Sequence, residues 1–201
     1  MGKMNLLKAN WEGKVGETVG AKWKNRKTIR TYTKPSNPNT QAQRTVRSAF
    51  KDITSFVALF ADQIKYLTAL NTSGMSVRNA IIKLNKSMIE GGTVNFSNLL
   101  ISKGGLQKPI EGVATLDGGS NKISVTWNAP TATNFTDDAK AIVVIVDATT
   151  EVAEVVTVAA KAGRAEGVLT YTGSDTIHTF IYYLDKRGNA KVASDSVYLA
   201  I

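Results

Sequence analysis

The chain has 201 residues, of which 43% are hydrophobic and 20% charged, the balance of a globular protein rather than of a disordered one. It contains no cysteine and one histidine, which excludes disulfide scaffolds, thiolate zinc sites, cysteine nucleophiles and multi-histidine metal sites. A histidine-based catalytic triad is a poor prospect for the same reason, so composition argues against an enzyme and for an assembly or binding role.

The charge is distributed unevenly along the chain. Residues 1–110 hold 18 Lys and Arg against 5 Asp and Glu, and residues 111–201 have a net charge of −4, for a total of +9. Such asymmetry predicts two parts with different surroundings. A basic half attracts acidic partners, which are nucleic acid, acidic protein surfaces or an anionic membrane. A second expected consequence is head-to-tail attraction between the basic half of one copy and the acidic half of another.

The N-terminal region predicts paired strands followed by an ordered turn or an extended link. Apolar residues mostly alternate with polar ones from Val15 to Trp23, residues 24–27 predict a turn, and Ile29 and Tyr32 belong to the returning strand. Two prolines within residues 34–40 stop any regular element.

Two helices follow this turn. Thr40-x-x-Gln43 is a capping-box pattern, and the apolar spacing of three and four behind it predicts one helix of about eight turns from Thr40 to Leu70. A second helix begins near Met75 and ends at Gly91-Gly92. We expect the helices to form a hairpin that covers the N-terminal strands, with a short strand over residues 94–101.

The remaining residues predict seven short strands separated by turns, the pattern of an immunoglobulin-like or fibronectin-like sandwich with Trp127 beside its core. The predicted strands are 112–116, 122–127, 141–147, 152–159, 167–172, 178–185 and 190–199. The predicted fold class is therefore α+β, with an N-terminal β-hairpin and helical hairpin followed by a C-terminal all-β sandwich. The predicted domains are a basic strand-and-helix assembly domain, 1–108, and the sandwich, 109–201.

Candidate catalytic residues are few. Asp137-Asp138 is the one adjacent carboxylate pair, and a solvated turn is the favoured interpretation over acid–base or metal chemistry. His178 lacks a cluster of partners and is expected to be structural or exposed. Nucleophile elbows, Walker loops and dinucleotide fingerprints are missing from the sequence, so we predict no catalytic, cofactor or metal site.

The basic N-terminal segment is the stronger candidate for a site. Cations that neutralise phosphates, interleaved with rings that stack on bases, are typical of nucleic-acid binding. The favoured interpretation is instead a solvated hairpin face with Trp23 under the long helix, or a protein-binding version of that face. The candidate interaction residues are Trp11, Lys22, Trp23, Lys24, Arg26, Lys27, Arg30, Tyr32, Arg44 and Arg47.

Two N-terminal motifs carry a resemblance to a known family. They are Gly16-x-x-Val19-Gly20-x-Lys22-Trp23 and Arg30-x-Tyr32-x-Lys34-Pro35-Ser36-Asn37-Pro38-Asn39-Thr40-x-x-Gln43, with Arg47 and Phe50 downstream. With the late tyrosine-bearing strand 195–199, the chain resembles an uncharacterised domain-of-unknown-function family of Bacteroides-type bacteria and their phages. The resemblance brings no established activity, but it associates the chain with phage particle proteins.

We therefore expect a structural protein of a phage or phage-derived particle, anchored by its basic half, with the sandwich exposed. Expected partners are other particle proteins or further copies of the chain. A non-sequence-specific nucleic-acid-binding protein is the alternative. A surface- or carbohydrate-binding sandwich is weaker, since its candidate aromatics, Tyr171, Tyr182, Tyr183 and Tyr198, are mostly expected in the core. The polar start and the lack of a long apolar run predict synthesis in the bacterial cytoplasm without a signal peptide or membrane span.

Overall fold

The structure is a computed structural model of the chain, which forms two compact units, Met1–Asn39 and Thr40–Ile201. We call them the N-terminal unit and the C-terminal unit. The residues that the structure describes are 12–23, 26–34, 36–92, 94–117, 120, 122–131, 135–168 and 176–201, with Trp23 and Arg26 described for the backbone alone.

The N-terminal unit is a three-stranded antiparallel sheet of β1 (Gly13–Val15), β2 (Thr18–Trp23) and β3 (Arg26–Thr31), in the order β1-β2-β3. The predicted strand pairing is confirmed, but the turn between β2 and β3 is shorter than predicted. Trp23 is the register partner of Arg26, so Arg26 and Lys27 belong to β3 and two residues connect the strands.

The first helix, α1, spans Gln41–Ala58 and begins with the predicted capping box. The Gln43 amide donates to Thr40 Oγ1 and the Thr40 amide donates to Gln43 Oε1, both at 3.3 Å. The predicted length was wrong, because the chain tightens into turns with i→i+3 hydrogen bonds after Ala58. Phe60 and Ile64 are nevertheless fully buried, since successive tight turns present apolar residues on one side as a helix does.

The second helical segment is broken at Asn85 into α2 (Val77–Leu84) and α3 (Lys86–Gly91). Gly92 closes α3 at φ 70°, which confirms the predicted glycine cap. The short strand predicted over residues 94–101 is instead a 3-10 turn, Phe96–Asn98, followed by buried Leu99 and Ile101.

The C-terminal strands form two antiparallel sheets. One has the order β4-β5-β8, and the other has the order β10-β9-β6-β7 with β11 also paired to β9. This partition is that of an immunoglobulin-like sandwich and confirms the predicted fold class. The strands are β4 (Ile110–Asp117), β5 (Lys122–Asn128), β6 (Lys140–Asp147), β7 (Val152–Ala159), β8 (Arg164–Gly167), β9 (Ile177–Arg187), β10 (Ala190–Ala193) and β11 (Val197–Leu199).

Two of the predicted strands differ from the observed ones. The strand predicted over 167–172 is represented by β8, which ends at Gly167, and most of the predicted range lies outside the described residues. The strand predicted over 190–199 is divided into β10 and β11. The division is at Ser194, whose hydroxyl accepts the Tyr183 amide at 2.9 Å in place of a backbone carbonyl.

Two cores lie on opposite faces of the five-stranded sheet. One fills the sandwich and includes Trp127, which is buried as predicted and donates through Nε1 to the Ala160 carbonyl at 3.0 Å. The other joins β6 and β9 to the helices and the turns after α1. The helices therefore pack on this sheet. The expectation that they also cover the N-terminal strands stays a prediction.

The observed division between compact units differs from the predicted domain boundary at 108/109. It falls between Asn39 and Thr40 because the apolar face of the helices shares a core with β6 and β9. The sequence of β6 is consistent with a strand that has a core on each face. Its residues 141–146 are all fully buried, as expected of a strand covered on both faces.

Candidate functional site

The N-terminal unit holds most of the net charge of the protein. Residues 1–39 contain nine Lys and Arg against two Glu, a net charge of +7 out of +9. The net charge of the basic half predicted from the sequence is thus concentrated in its first 39 residues.

The register of this sheet divides the predicted cations between its two faces. Lys22 lies opposite Lys27, whereas Arg30 lies opposite Val19, which in turn lies opposite Lys14. Because side chains alternate along a strand, Lys22 and Lys27 share one face and Lys14 and Arg30 share the other. All four side chains are exposed.

Tyr32 belongs with the second of these groups. Lys14 Nζ lies 3.7 Å from the centroid of the Tyr32 ring, a cation–π contact. The Tyr32 amide donates to the Glu17 carbonyl at 2.6 Å, which holds the residue beside the turn between β1 and β2. We call Lys14, Arg30 and Tyr32 the tyrosine face of the N-terminal unit.

The other predicted residues of this segment are placed in part. Trp11 and Lys24 lie outside the described residues. Trp23 and Arg26 are register partners at the end of β2 and the start of β3, and only their backbone is described. The expectation that Trp23 is buried under the long helix stays a prediction.

Arg44 and Arg47 lie on the first half of α1, in the C-terminal unit, and both are exposed. Apolar residues stand exposed beside them, since Val46 is 39% and Phe50 48% accessible. Val46 and Phe50 lie on the same apolar stripe of the helix as Ile53 and Val57, which are buried. The first half of α1 therefore presents cations and apolar groups together.

The structure also brings together a lysine cluster that sequence reasoning missed. Lys191 Nζ donates to the Tyr66 carbonyl at 2.6 Å, Lys186 lies opposite Lys191 in the β9–β10 hairpin, and Lys65 Nζ is 5.5 Å from the centroid of the Tyr66 ring. Tyr66 is 73% exposed. We call Lys65, Tyr66, Lys186 and Lys191 the lysine cluster. Its halves are too distant in the sequence for a local pattern to connect them.

The adjacent carboxylates Asp137 and Asp138 are both exposed, and one of them is paired with a lysine. Asp137 accepts a hydrogen bond from Lys161, and this contact with the lysine charge lowers the pKa of the Asp137 carboxyl. Both carboxylates line a shallow depression of about 270 Å³ with Lys140 and Thr157. No group of three or more metal-binding side chains occurs among the described residues.

His178 sits in an aromatic cluster, as a structural histidine would. Its Nδ1 is 3.2 Å from Tyr198 Oη, and its ring lies 5.4 Å from Phe56 and 5.1 Å from Phe96 between centroids. Burial lowers the pKa of the imidazole, which favours the neutral ring at physiological pH.

Two clefts flank Arg78 near the start of α2. One, of about 450 Å³, reaches Lys65 and Tyr66 of the lysine cluster, and the other, of about 550 Å³, reaches Phe56 and Phe96. Arg78 donates through Nη2 to the Thr54 carbonyl at 2.9 Å, while its buried Nε has no partner among the described residues. The guanidinium thus braces α2 against α1 and borders both clefts.

The tyrosines proposed for a carbohydrate-binding surface are mostly internal. Tyr182 and Tyr183 are fully buried and donate to the carbonyls of Leu67 and Asn128 at 2.7 and 3.2 Å. Tyr198 is half-buried beside His178, and Tyr171 lies outside the described residues. The described tyrosines therefore form no exposed platform at one end of the sandwich.

None of the helices in the described segments is long and apolar enough to span a membrane.

Comparison with known proteins identifies a family but no activity. The search of curated proteins gives no match. A family model matches residues 9–200, nearly the whole chain, and the family is described as one of unknown function. The chain therefore belongs to the DUF6266 family.

Proposed function

We propose that the protein is a non-enzymatic structural or assembly protein of a phage or phage-derived particle. In this role the N-terminal unit anchors the chain to another particle protein or to a second copy. The C-terminal unit then carries the exposed sandwich. The observation that carries the proposal is the net charge of +7 over residues 1–39, where the described cations Lys14, Lys22, Lys27 and Arg30 of the sheet are exposed on both faces.

The chemistry of the surfaces supports attachment rather than catalysis. The tyrosine face offers cations beside an accessible ring, and the first half of α1 offers cations beside exposed Val46 and Phe50. Charged groups around apolar or aromatic anchors are the usual make-up of a protein interface. A partner for these surfaces would be acidic with apolar pockets.

The particle assignment rests on the resemblance of the N-terminal motifs to proteins of Bacteroides-type bacteria and their phages. Under this proposal the protein is made in the bacterial cytoplasm and becomes part of a virion or a related particle. The proposed role is that of a capsid-, tail- or accessory-associated protein.

The test is the mass of the purified protein in solution, measured by light scattering after size exclusion at low and moderate salt. Nucleic acid is removed first and then added back. A defined multimer in the absence of nucleic acid supports assembly. A monomer under all conditions, together with absence of the chain from purified particles, would overturn the proposal.

Non-sequence-specific binding of nucleic acid is the second candidate function. The specific observation in its favour is the repeated pairing of lysine with an exposed tyrosine, Lys14 with Tyr32 and Lys65 with Tyr66. Rings stack on bases while the cations neutralise phosphates, and this combination is tolerant of sequence.

Salt separates the two candidates. Binding to a single-stranded oligonucleotide should weaken steeply with salt, because each phosphate contact releases counterions. A monomer that changes mass only with the oligonucleotide, and reverts at moderate salt, would replace the assembly proposal by the nucleic-acid one.

A further inference from the structure

The two outer edges of the five-stranded sheet differ in whether another segment of the described chain runs beside them. At the β10–β11 edge, residues 102–106 run alongside, with the Leu106 amide donating to Ala193 and the Ser196 amide donating to Ser102, both at 3.1 Å. Gly104 permits this approach, since a Cβ there would lie 1.9 Å from the Ala193 carbonyl oxygen. At the opposite edge, β7 pairs with β6 on one side and with no described strand on the other.

The ladder determines which backbone groups of β7 face outward. The Ala148 amide donates to the Thr176 carbonyl at 2.9 Å, which continues the β6–β9 register and assigns the even-numbered residues of β6 to bonds with β9. Its odd-numbered residues therefore bond to β7, where their partners are even-numbered. The odd-numbered residues of β7 consequently direct their N–H and C=O groups away from the sheet.

An independent contact agrees with this parity. Gln63 Nε2 donates to the Ala153 carbonyl at 2.9 Å, so that carbonyl is reached from outside the β6–β7 ladder. The Ala160 amide donates to the Ala139 carbonyl at 2.8 Å, which agrees with even-numbered residues on this side bonding toward β6. Gln63 caps one outward carbonyl, which leaves the outward groups of Val155, Thr157 and Ala159 without a partner in the described part of the chain.

In the described residues, this edge has little of the usual protection against strand pairing, since β7 contains no lysine, proline or bulge. Natural edge strands carry lysine, proline or a bulge, or are short. Strand β7 has eight residues, VAEVVTVA, and its only charge is Glu154. That carboxylate accepts the Val168 amide at 2.7 Å, which directs it toward the end of β8. Thr157 and Ala159 are exposed and border the shallow depression of about 270 Å³.

We propose that β7 of a second copy of this chain pairs with this edge, antiparallel and centred on Thr157. The strand is complementary to itself about that point, because Val155 then lies opposite Ala159 and each unpartnered group meets a complementary one. About six backbone hydrogen bonds would form across the twofold axis. The inference rests on the proposed assembly role and names one contact within it.

The side chains fit the same register. Pairing about Thr157 places Thr157 opposite Thr157 and Val156 opposite Val158, which are favourable cross-strand pairs. Glu154 lies opposite Ala160, so no like charges meet. A second copy is favoured over a foreign strand because the same five residues supply both halves of the contact.

A proline substitution tests the edge directly. Thr157→Pro removes the central outward N–H, at a position whose amide makes no bond to β6, whereas Thr157→Ala retains the amide and serves as the matched control. Light scattering over a concentration series should show a dimer for the wild type and for Thr157→Ala. Thr157→Pro should weaken that dimerisation at least tenfold, with thermal unfolding reporting that the variant is folded.

A cross-linking measurement keeps the test valid if the proline variant fails to fold. The chain has no cysteine, so a single introduced cysteine forms disulfides only between copies. Thr157→Cys should oxidise rapidly to a dimer, since the paired Cα atoms would lie about 5.5 Å apart. Thr126→Cys, an exposed threonine inside the other sheet, is the control and should remain mostly monomeric.

The outcomes separate this inference from the assembly role. A multimer that Thr157→Pro leaves unchanged, with equal cross-linking at residues 157 and 126, overturns the pairing of β7 but leaves the assembly role standing. A wild-type monomer at every concentration overturns the pairing. If the chain is then also missing from purified particles, the assembly role fails with it.

Discussion

The two units of the protein differ in how their residues are held. The described part of the N-terminal unit is a hydrogen-bonded sheet with exposed cations, and its apolar residues Val15 and Tyr32 are exposed as well. The C-terminal unit has two apolar cores on either side of one sheet. Burial is the main source of stability, so substitutions in the two units should affect different measurements.

The largest expected effect is in the core between the sheet and the helices. Phe60 is fully buried and packs edge-to-face on Phe56 with centroids 5.8 Å apart. Phe60→Ala should lower the free energy of unfolding by about 3–5 kcal/mol, measured by urea titration. Phe50→Ala, at a 48% exposed position of α1, is the control and should cost less than about 1 kcal/mol. Equal effects would mean that the helices do not stabilise the sheet.

The next effect comes from a buried polar group that joins the helices to the following segment. The Asn85 side chain donates to the carbonyls of Ile81 and Leu100 at 2.8 Å and accepts the Leu100 amide at 2.9 Å. Asn85→Ala should lower the unfolding free energy by about 2–3 kcal/mol, because it removes three hydrogen bonds and leaves the half-buried backbone of Leu100 without its Asn85 partners. Exposed Asn98→Ala provides the comparison, and an equally small change in both variants would contradict the role of Asn85.

Local patterns predicted much of the C-terminal unit. The capping box at Thr40, the cap at Gly92 and the alternation of residues 123–127 each depend on neighbours within a few residues, and the structure contains all three. The end of α1 was missed because the apolar spacing continues through Phe60 and Ile64 in tighter turns. The partner of the helices was missed because that contact joins distant segments, although the uninterrupted apolar run of β6 indicated a strand covered on both faces.

The candidate sites also differ in how much of them the sequence alone could predict. The basic segment was visible from composition, but its separation into two faces required the register of β2 with β3. The lysine cluster depends on the contact between Lys191 and the Tyr66 carbonyl, which no local pattern encodes. The open edge of β7 depends on strand order, which the sequence does not specify directly.

Acid should weaken the C-terminal unit through Asp185. Burial would raise the pKa of this carboxyl, but hydrogen bonds from Thr136 and the Lys186 amide, with the charge of Arg187, lower it below its ordinary value. The stabilisation is therefore present above about pH 3.9, the unfolded value, and is lost as pH falls through the lower folded value.

The variant Asp185→Asn tests this assignment. At pH 7 it should lower the unfolding free energy by about 1.5–3 kcal/mol, and the gap to the wild type should close in acid. Asp138→Asn, at an exposed carboxylate of the C-terminal unit, is the control. A gap that is independent of pH would show that the Asp185 charge does not matter.

A smaller pH effect is expected from His178, the one histidine of the chain. Burial lowers its pKa, so the unfolded chain takes up a proton more readily and stability is lost as pH falls below about 6.5 toward the folded value. His178→Gln should flatten this part of the stability curve. The imidazole proton signals, followed by NMR, should titrate below pH 6.5, and a normal titration would contradict the burial argument.

The smallest effect on stability, and the largest on binding, is expected in the N-terminal unit. Arg30→Glu reverses a charge on the tyrosine face and should change the unfolding free energy by less than about 0.5 kcal/mol, because the side chain is exposed. It should nevertheless weaken low-salt association with an acidic partner or a further copy, since that association depends on the +7 charge of residues 1–39.

Lys22→Glu makes the same change in charge on the opposite face and is the matched control. A stronger effect from Arg30→Glu would assign the anchoring contact to the tyrosine face, and equal effects would mean that net charge alone drives association. If neither variant alters association while Thr157→Pro abolishes it, assembly depends on the C-terminal unit, and the contrast between an anchoring unit and a stable unit fails.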